Sequence, residues 1–227
     1  MADTQNFLVV GGRTGIGQAL VQELSHQGKQ VISTSRNAHP HQLPYSIEST
    51  LDLEQLPPVL HGVAYCPGTI NLKPFHRLTL QDFRTDFEVN VCGAIRVLQQ
   101  VYPLLKNSNH AAVVLFSTVA VQQGMPFHAS VATAKGALEG LTRSLAAEWA
   151  PKIRVNAIAP SLTDTPLAEK LLATEEKRKA SAARHPLQQI GSPNDIARLA
   201  AFLLTDSSRW ITGQVLHADG GLSGVRV

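Results

Sequence analysis

Two side chains that could move a proton lie at the ends of HASVATAK, a run of small residues at positions 128–135. His128 and Lys135 are seven residues apart, which places them about two turns apart on one face of a helix. An imidazole can donate a proton near neutral pH with little tuning. The alternatives are that His128 caps the helix start or faces solvent and that Lys135 is an ordinary exposed residue. The run therefore holds a candidate proton donor and a candidate cation.

A glycine-rich segment, VVGGRTGIGQAL, is the second feature with a chemical interpretation. Its residues Gly11, Gly15, Ile16 and Gly17 lie directly after a predicted strand and at the start of a predicted helix. Glycine there lets the backbone turn tightly and approach a pyrophosphate, whose charge is met by the helix N-terminus. Glycine-rich turns can also serve packing alone, but this position between strand and helix favours dinucleotide binding.

The end of the second predicted strand, VISTSRN, indicates which dinucleotide. Folds that prefer NAD usually carry an acid here, which holds the ribose 2′-hydroxyl and would repel a 2′-phosphate. This chain has Ser35 and Arg36 instead, a hydroxyl and a guanidinium suited to phosphate oxygens. Arg13, inside the glycine turn, could add a second positive charge, although either arginine could be a solvated surface residue. The pattern predicts NADP(H), with NAD(H) as the less favoured cofactor.

Short apolar runs that alternate with amphipathic stretches are expected to position these residues. A chain of 227 residues is long enough for one sizeable α/β domain and short for two. Short strands rich in β-branched residues that alternate with helices predict a parallel sheet covered on both faces, a Rossmann-type doubly wound fold. The predicted strands are 7–12, 30–35, 62–68, 111–118, 153–160 and 213–220, and the predicted helices are 15–27, 79–106, 130–149 and 193–205.

The fold is predicted to be shortened between its second and fourth strands. Residues 36–61 contain four prolines, in HPHQLPYS and LPPVL, which disfavour a full-length helix. A loop with room for a single helical turn is expected to cross that part of the sheet.

Composition argues against several other classes of protein. The formal charge is only +3 and no five-residue run of Lys or Arg occurs, so nucleic-acid binding has little electrostatic support. The nine histidines are scattered, and no Cys or second His pair is spaced to complete a metal site with His39 and His41. Cys66 and Cys92 are expected to be buried thiols. The N-terminus lacks secretion features and no stretch approaches a membrane span, which predicts a cytoplasmic protein.

The chain resembles the short-chain dehydrogenase/reductase family along nearly all of its length. Five stretches in order match the family's motifs: GxxxGxG at Gly11–Gly17, DFEVNVCGA around Asn90, AKGALEGLTRSLAAEWA, IRVNAIAPSLTDTP and GSPNDIARLAAFLL. The resemblance implies that the glycines take the pyrophosphate and that Asp52 holds the adenine amino group. It implies that Asn90 supports a water chain and that Lys135 holds the nicotinamide ribose.

Further site residues follow from the same resemblance. Gly68 matches the last glycine of the motif that the family writes NNAG, here Tyr65 to Gly68. Residues 160–165, which begin with Pro160, would wrap the nicotinamide carboxamide, with Thr163 and Thr165 as contacts.

The chain departs from the family where the family carries its catalytic tyrosine. The tyrosine lies four residues before the lysine, and that position is Val131 here. The family's serine position is Thr118, whose hydroxyl could polarise a carbonyl. Since hydride transfer to a ketone needs a proton donor within hydrogen-bond reach, the loss of tyrosine leaves that role open. Enoyl reductases of this superfamily place their tyrosine at the longer spacing that His128 has from Lys135.

Two functions of different classes remain open. The first is an NADP(H)-dependent oxidoreductase with an atypical centre, in which Thr118 orients a small carbonyl or conjugated alkene. Asn90 and Lys135 would hold the ribose and a water chain, and His128 or water would supply the proton. The second is a sensor or scaffold that binds NADP(H) without redox chemistry, which Val131 favours.

Substrate enclosure and assembly are also predicted. Residues 164–190 should form a lid over the substrate, with EEKRKASAAR as a solvated face. Relatives assemble through the lysine helix and its predecessor, which implies a homodimer or homotetramer. The apolar stripe Leu138, Leu141 and Leu145 is compatible with that assembly but could equally face the sheet.

Overall fold

The computed structural model describes residues 5–36 and 42–226 and confirms the doubly wound α/β fold. All seven strands are parallel and lie in the order β3-β2-β1-β4-β5-β6-β7. The strands are β1 Asn6–Val10, β2 Gln30–Ser35, β3 Leu43–Pro44, β4 Gly62–Tyr65, β5 Ala111–Phe116, β6 Ile153–Pro160 and β7 Val215–Ala218.

Helices cover both faces of this sheet. They are α1 Gly15–His26, α2 Leu80–Phe87, α3 Gly93–Lys106, α4 Ala120–Gln123, α5 Ala129–Trp149, α6 Glu175–Ala182 and α7 Pro193–Leu204. One apolar cluster joins α1 and α7 to the sheet, and a second joins α3 and α5 to the opposite face. The two-sided burial explains why the central strands are apolar throughout rather than alternating.

The stretch predicted as helical over 79–106 is helical from Leu80 to Lys106, but one turn within it is not α-helical, which was not predicted. A single π turn, Glu88–Cys92, separates α2 from α3 and contains Asn90. The phenol of Tyr65 donates a hydrogen bond to the carbonyl of Val89 at 2.7 Å, within this turn. A Cβ on Gly93 would overlap the same phenol oxygen, so only glycine fits where the helix resumes. π turns of this kind are frequent at functional sites.

The proline-rich stretch after β2 is partly as predicted. A single helical turn, Leu53–Gln55, is present, which confirms the expected turn. The two-residue strand β3 was not predicted, and it pairs with Thr34 and Ser35 of β2. Proline is tolerated there because an edge strand pairs on one side only.

The apolar stripe of α5 faces the core. Leu138 is fully buried in the cluster on the α3 side, and Leu141 and Leu145 pack against that cluster. The stripe therefore gives no support to assembly through these side chains.

The strand order reverses between β1 and β4, which makes their carboxyl ends the expected place for a ligand in a sheet of this kind. The glycine turn follows β1, and residues 66–68 follow β4. A Cβ on Gly11 would lie 3.3 Å from Cδ of Pro67, so the two loops touch. Among the helices of residues 5–36 and 42–226, none is long and apolar enough to cross a membrane.

Candidate active site

The glycine turn is held against the end of β2 by one residue that the sequence did not single out, Thr34. Its hydroxyl accepts a hydrogen bond from the amide of Gly11 at 3.2 Å, and its carbonyl accepts one from Gly12 at 3.0 Å. Gly11 and Gly15 have φ of +77° and +56°, a region that favours glycine. A Cβ on Gly17 would overlap the carbonyl oxygen of Gly11. This turn therefore needs glycine at these positions, as dinucleotide binding requires.

The residues predicted to choose between NADP(H) and NAD(H) lie at this same edge. Ser35 is buried at the end of β2, and Arg36 follows it with an exposed side chain. Arg13, in the turn, is also exposed. Neither guanidinium has a hydrogen bond or an ion pair within the part of the chain that the structure describes. Among the described residues, two cations without a partner thus lie at the end of β2.

Asp52, predicted to hold the adenine amino group, is engaged locally. It caps the turn Leu53–Gln55, where its carboxylate accepts hydrogen bonds from Glu54 N at 3.1 Å and Gln55 Nε2 at 2.6 Å. The side chain is exposed, so its predicted role remains a prediction.

Lys135 and Asn90 meet above Gly68, although they come from α5 and from the π turn. A Cβ on Gly68 would lie 3.3 Å from Oδ1 of Asn90 and 3.4 Å from Nζ of Lys135. Lys135 is 7% exposed and Asn90 is fully buried. Burial lowers the pKa of Lys135 to about 8, and this effect outweighs the opposing influence of Cys66 and Asp86. Three predicted site residues are therefore brought together around one buried amine.

Val131 lies one turn before Lys135 on α5 and is 5% exposed.

The hydroxyls of the two residues that follow β5, Ser117 and Thr118, have different partners. Ser117 Oγ donates to Oε1 of Glu139 on α5 at 2.7 Å, whereas Thr118 Oγ1 accepts from Ala120 N at 3.3 Å and is half-buried. Ser117 is thus committed to packing, and Thr118 keeps its hydroxyl hydrogen for another partner.

His128 precedes α5 and is half-buried. Its Nδ1 lies 2.7 Å from the carbonyl of Pro126, which makes Nδ1 the donor and leaves Nε2 as the second ring nitrogen. Within residues 5–36 and 42–226, no hydrogen bond or ion pair joins His128 to Lys135, Asn90 or Thr118. The imidazole instead borders a groove of about 400 Å³ that is also lined by Phe75, Met125 and Phe127.

The segment that follows β6 lies against the glycine turn. A Cβ on Gly15 would be 3.3 Å from Cβ of Thr165, so this predicted contact residue packs on the turn. Thr163 is buried, and its hydroxyl donates to the carbonyl of Ser161 at 3.0 Å. Pro160 ends β6, and its carbonyl accepts from Val119 N at 3.1 Å.

The predicted lid, residues 164–190, consists of a 3₁₀ helix, Pro166–Leu171, followed by α6. Arg178 of α6 holds Asp164 through two hydrogen bonds of 2.7 and 3.1 Å. Buried His185 lies 2.8 Å from Ser161 Oγ and 2.9 Å from the carbonyl of Ser181. None of the α6 residues is buried, which fits the solvated face predicted for this stretch.

Three site residues besides Thr34 were missed. Thr69, Asp86 and Ser130 form a hydrogen-bonded group next to Asn90. For Asp86, the sequence did hold a signal: it lies four residues before Asn90, and residues at this spacing share a helix face.

The residues present fit a nicotinamide dinucleotide. At one end of the cleft, the glycine turn lies beside Arg13 and Arg36, which have no partner among the residues that the structure describes. At the other end, the buried amine of Lys135 and Oδ1 of Asn90 face the same space above Gly68, and this oxygen has no hydrogen-bond partner within residues 5–36 and 42–226. An orphaned buried acceptor of this kind calls for a partner, since leaving it unpaired costs about 1–3 kcal/mol.

Three comparisons with known proteins agree with this geometry. A family model described as Enoyl-(Acyl carrier protein) reductase matches residues 46–223. A tropinone reductase homologue of Arabidopsis thaliana is 34% identical over 242 residues, which cover 96% of this chain and 92% of that protein. Another homologue from the same plant, named as chloroplastic, is 32% identical and covers 95% of this chain and 74% of that protein. The ligand-free aldohexose dehydrogenase of Thermoplasma acidophilum superposes with a TM-score of 0.90 at 25% identity, covering 99% of this chain and 97% of that one.

Proposed function

Since this chain belongs to the short-chain dehydrogenase/reductase family of oxidoreductases, which binds a nicotinamide cofactor, we propose that it is an NADP(H)-dependent reductase with an atypical centre. Its substrate would be a small carbonyl compound or an alkene conjugated to a carbonyl. The observation that carries the proposal is the buried amine of Lys135, which shares the space above Gly68 with the unpaired oxygen of Asn90.

Preference for NADP(H) is supported by the charges at the end of β2. Arg36 and Arg13 offer donors for a 2′-phosphate, and the sequence at the end of β2, Ser35-Arg36-Asn37, has no carboxylate that would repel it. The pyrophosphate would be held by the turn Gly11–Gly17, and the nicotinamide ribose by Lys135 and Asn90.

Arg36→Ala is expected to weaken NADPH binding by about 10-fold or more and to leave NADH binding unchanged, because a charge-assisted hydrogen bond contributes about 1.5–3 kcal/mol. The measurement is a fluorescence titration with each reduced cofactor. Arg209→Ala, an exposed arginine after α7, is the matched control. Equal affinities for NADPH and NADH in the wild type would remove the role given to Arg36.

In the proposed reaction, the side chains of this protein would orient the substrate and deliver the proton. A bound nicotinamide supplies the hydride. Thr118 Oγ1 would donate to the substrate oxygen, since its hydrogen has no partner among the described residues. Either water or His128 in its doubly protonated form would deliver the proton. Because Nδ1–H is engaged with the carbonyl of Pro126, the imidazolium would give up its Nε2 proton at the groove that His128 lines and become neutral. An enolate is less basic than an alkoxide, so a conjugated alkene demands less of such a donor.

His128→Gln is expected to lower the rate of NADPH oxidation by about 10²-fold, the lower range for loss of a general acid. A panel of ketones, quinones and enones, followed by NADPH absorbance, provides the measurement. His26→Gln, at the exposed end of α1, controls for loss of a histidine elsewhere. Full turnover in His128→Gln would make the imidazole a bystander and leave water as the donor.

A non-catalytic sensor or scaffold that binds NADP(H) is the second candidate, and Val131 is the observation that favours it. A buried valine cannot donate a proton where the family has tyrosine. NADPH binding by a wild-type protein that oxidises it with no substrate of the panel would support this candidate.

We further propose a homodimer or homotetramer, a lid over residues 164–190 and a cytoplasmic location. Assembly is supported by Leu80 and Phe87, which are 76% and 41% exposed on α2 beside a groove that α2 shares with α5. Neither nucleic acid nor a membrane is proposed as a partner.

A further inference from the structure

We propose that Asp86 is the buried counter-ion of Lys135 and that, with Thr69 and Ser130, it fixes Asn90 so that the amide oxygen faces the lysine. Asp86 and its neighbours would be positioning residues, since they act through Lys135 and Asn90. The role rests on the proposed reductase, because it is in that enzyme that the lysine must stay charged.

Asp86 is a carboxylate in the interior, 1% exposed at the end of α2. Its Oδ1 accepts a hydrogen bond from Thr69 Oγ1 at 2.7 Å, and its Oδ2 accepts one from Ser130 Oγ on α5. Within the described residues, no lysine, arginine or histidine lies within 4.0 Å of this carboxylate. Two neutral hydroxyls only partly offset the cost of burying a charge, so a nearby cation is needed.

The same group determines which way the Asn90 amide points. Its Nδ2 donates to Thr69 Oγ1 at 2.8 Å and to the carbonyl of Asp86 at 2.7 Å. With both amide hydrogens engaged, Oδ1 is left facing the space above Gly68, where Nζ of Lys135 also lies. Thr69 links the two functions, because it donates to the carboxylate and accepts from the amide.

Two titratable groups act on Lys135, Cys66 after β4 and Asp86 on α2. Burial raises the pKa of the Cys66 thiol to about 12, so this thiol is neutral where the lysine titrates. Asp86 is therefore the anion that counteracts the desolvation of Lys135. Without the charge on Asp86, burial would lower the pKa of Lys135 further, and the amine would lose its proton at a lower pH than it does now.

The counter-ion has more consequence in this chain than it would beside a tyrosine. Val131 carries no acidic group one turn before Lys135, so in the proposed reductase no phenol would share the positive charge of Lys135. Ser130, the residue next to Val131, supplies the hydroxyl that ties α5 to the carboxylate.

The test is the titration of Lys135 in the full-length protein without nucleotide or substrate. Lysine labelled with ¹³C at Cε reports each ammonium by NMR, and the Lys135 signal is assigned from its absence in Lys135→Met. Asp86→Asn is expected to lower the Lys135 pKa by about one unit, because the variant removes the buried negative charge that acts on the ammonium. Glu88→Gln removes the same charge beside Arg96 and is expected to leave the Lys135 signal unchanged.

No change in Asp86→Asn, or an equal change in Glu88→Gln, would overturn the counter-ion. If Asp86→Asn does not fold, Asp86→Asn combined with Lys135→Met is compared with it. Recovery of the fold supports the pair, because an isolated buried charge is the destabilising element, and failure to recover counts against it. If Asp86→Asn shifts the Lys135 titration but the wild-type protein binds no NADPH, the counter-ion stands and only the proposed function is refuted.

Discussion

Val131→Tyr is expected to raise NADPH-dependent reduction of simple ketones by about 10²-fold or more, the contribution of a positioned general acid. Position 131 lies one turn before Lys135 on α5, so a phenol there would stand beside the ammonium. A neighbouring positive charge lowers the pKa of a phenol and makes it a better donor near neutral pH. Thr118 would complete the pair of hydroxyls around the substrate oxygen.

Val131→Phe is the matched control, since it adds the same ring without the hydroxyl. Both variants are assayed with the ketone panel and with thermal unfolding, because a ring in place of a valine that is 5% exposed must be accommodated. A gain in Val131→Phe equal to that in Val131→Tyr would show that the ring alone acts. A gain in Val131→Tyr over a silent wild type would favour the sensor or scaffold.

Gly17→Ala is expected to abolish measurable NADPH binding and to destabilise the fold by about 1–3 kcal/mol, the usual cost of overpacking. The added Cβ would overlap the carbonyl oxygen of Gly11, which is backbone and can move only if the whole turn moves. Displacing the turn separates the start of α1 from the end of β2, where Thr34 now holds Gly11.

Urea unfolding and the fluorescence titration with NADPH measure the two effects separately. Gly224→Ala makes the same chemical change where a Cβ would meet nothing within 4 Å, so it controls for the loss of a glycine. Wild-type affinity in Gly17→Ala would show that the turn does not carry the dinucleotide.

The order of strands and helices could be predicted because the pattern of apolar and polar residues within each short segment determines it. Apolar runs that alternate with amphipathic stretches can bury their surfaces only in a sheet covered on both faces. Two details with weak local signals were not predicted. The two-residue strand β3 has too few residues to show a pattern, and the π turn at Glu88–Cys92 differs from an α-helix by one residue in register.

The sequence by itself determined the fold, the glycine turn and the identity of Lys135, Asn90 and Thr118 as candidates. Each of these depends on residues that are close along the chain or on ordered motifs. Only the tertiary structure decided that Thr34 holds the turn and that Thr69 and Ser130 join Asp86 beside Asn90. It also decided that Ser117 is committed to Glu139, whereas no hydrogen bond within residues 5–36 and 42–226 joins His128 to the buried group. Hydrogen bonds between residues 17 to 44 positions apart leave no periodic trace in the sequence, because their geometry exists only after the helices pack on the sheet.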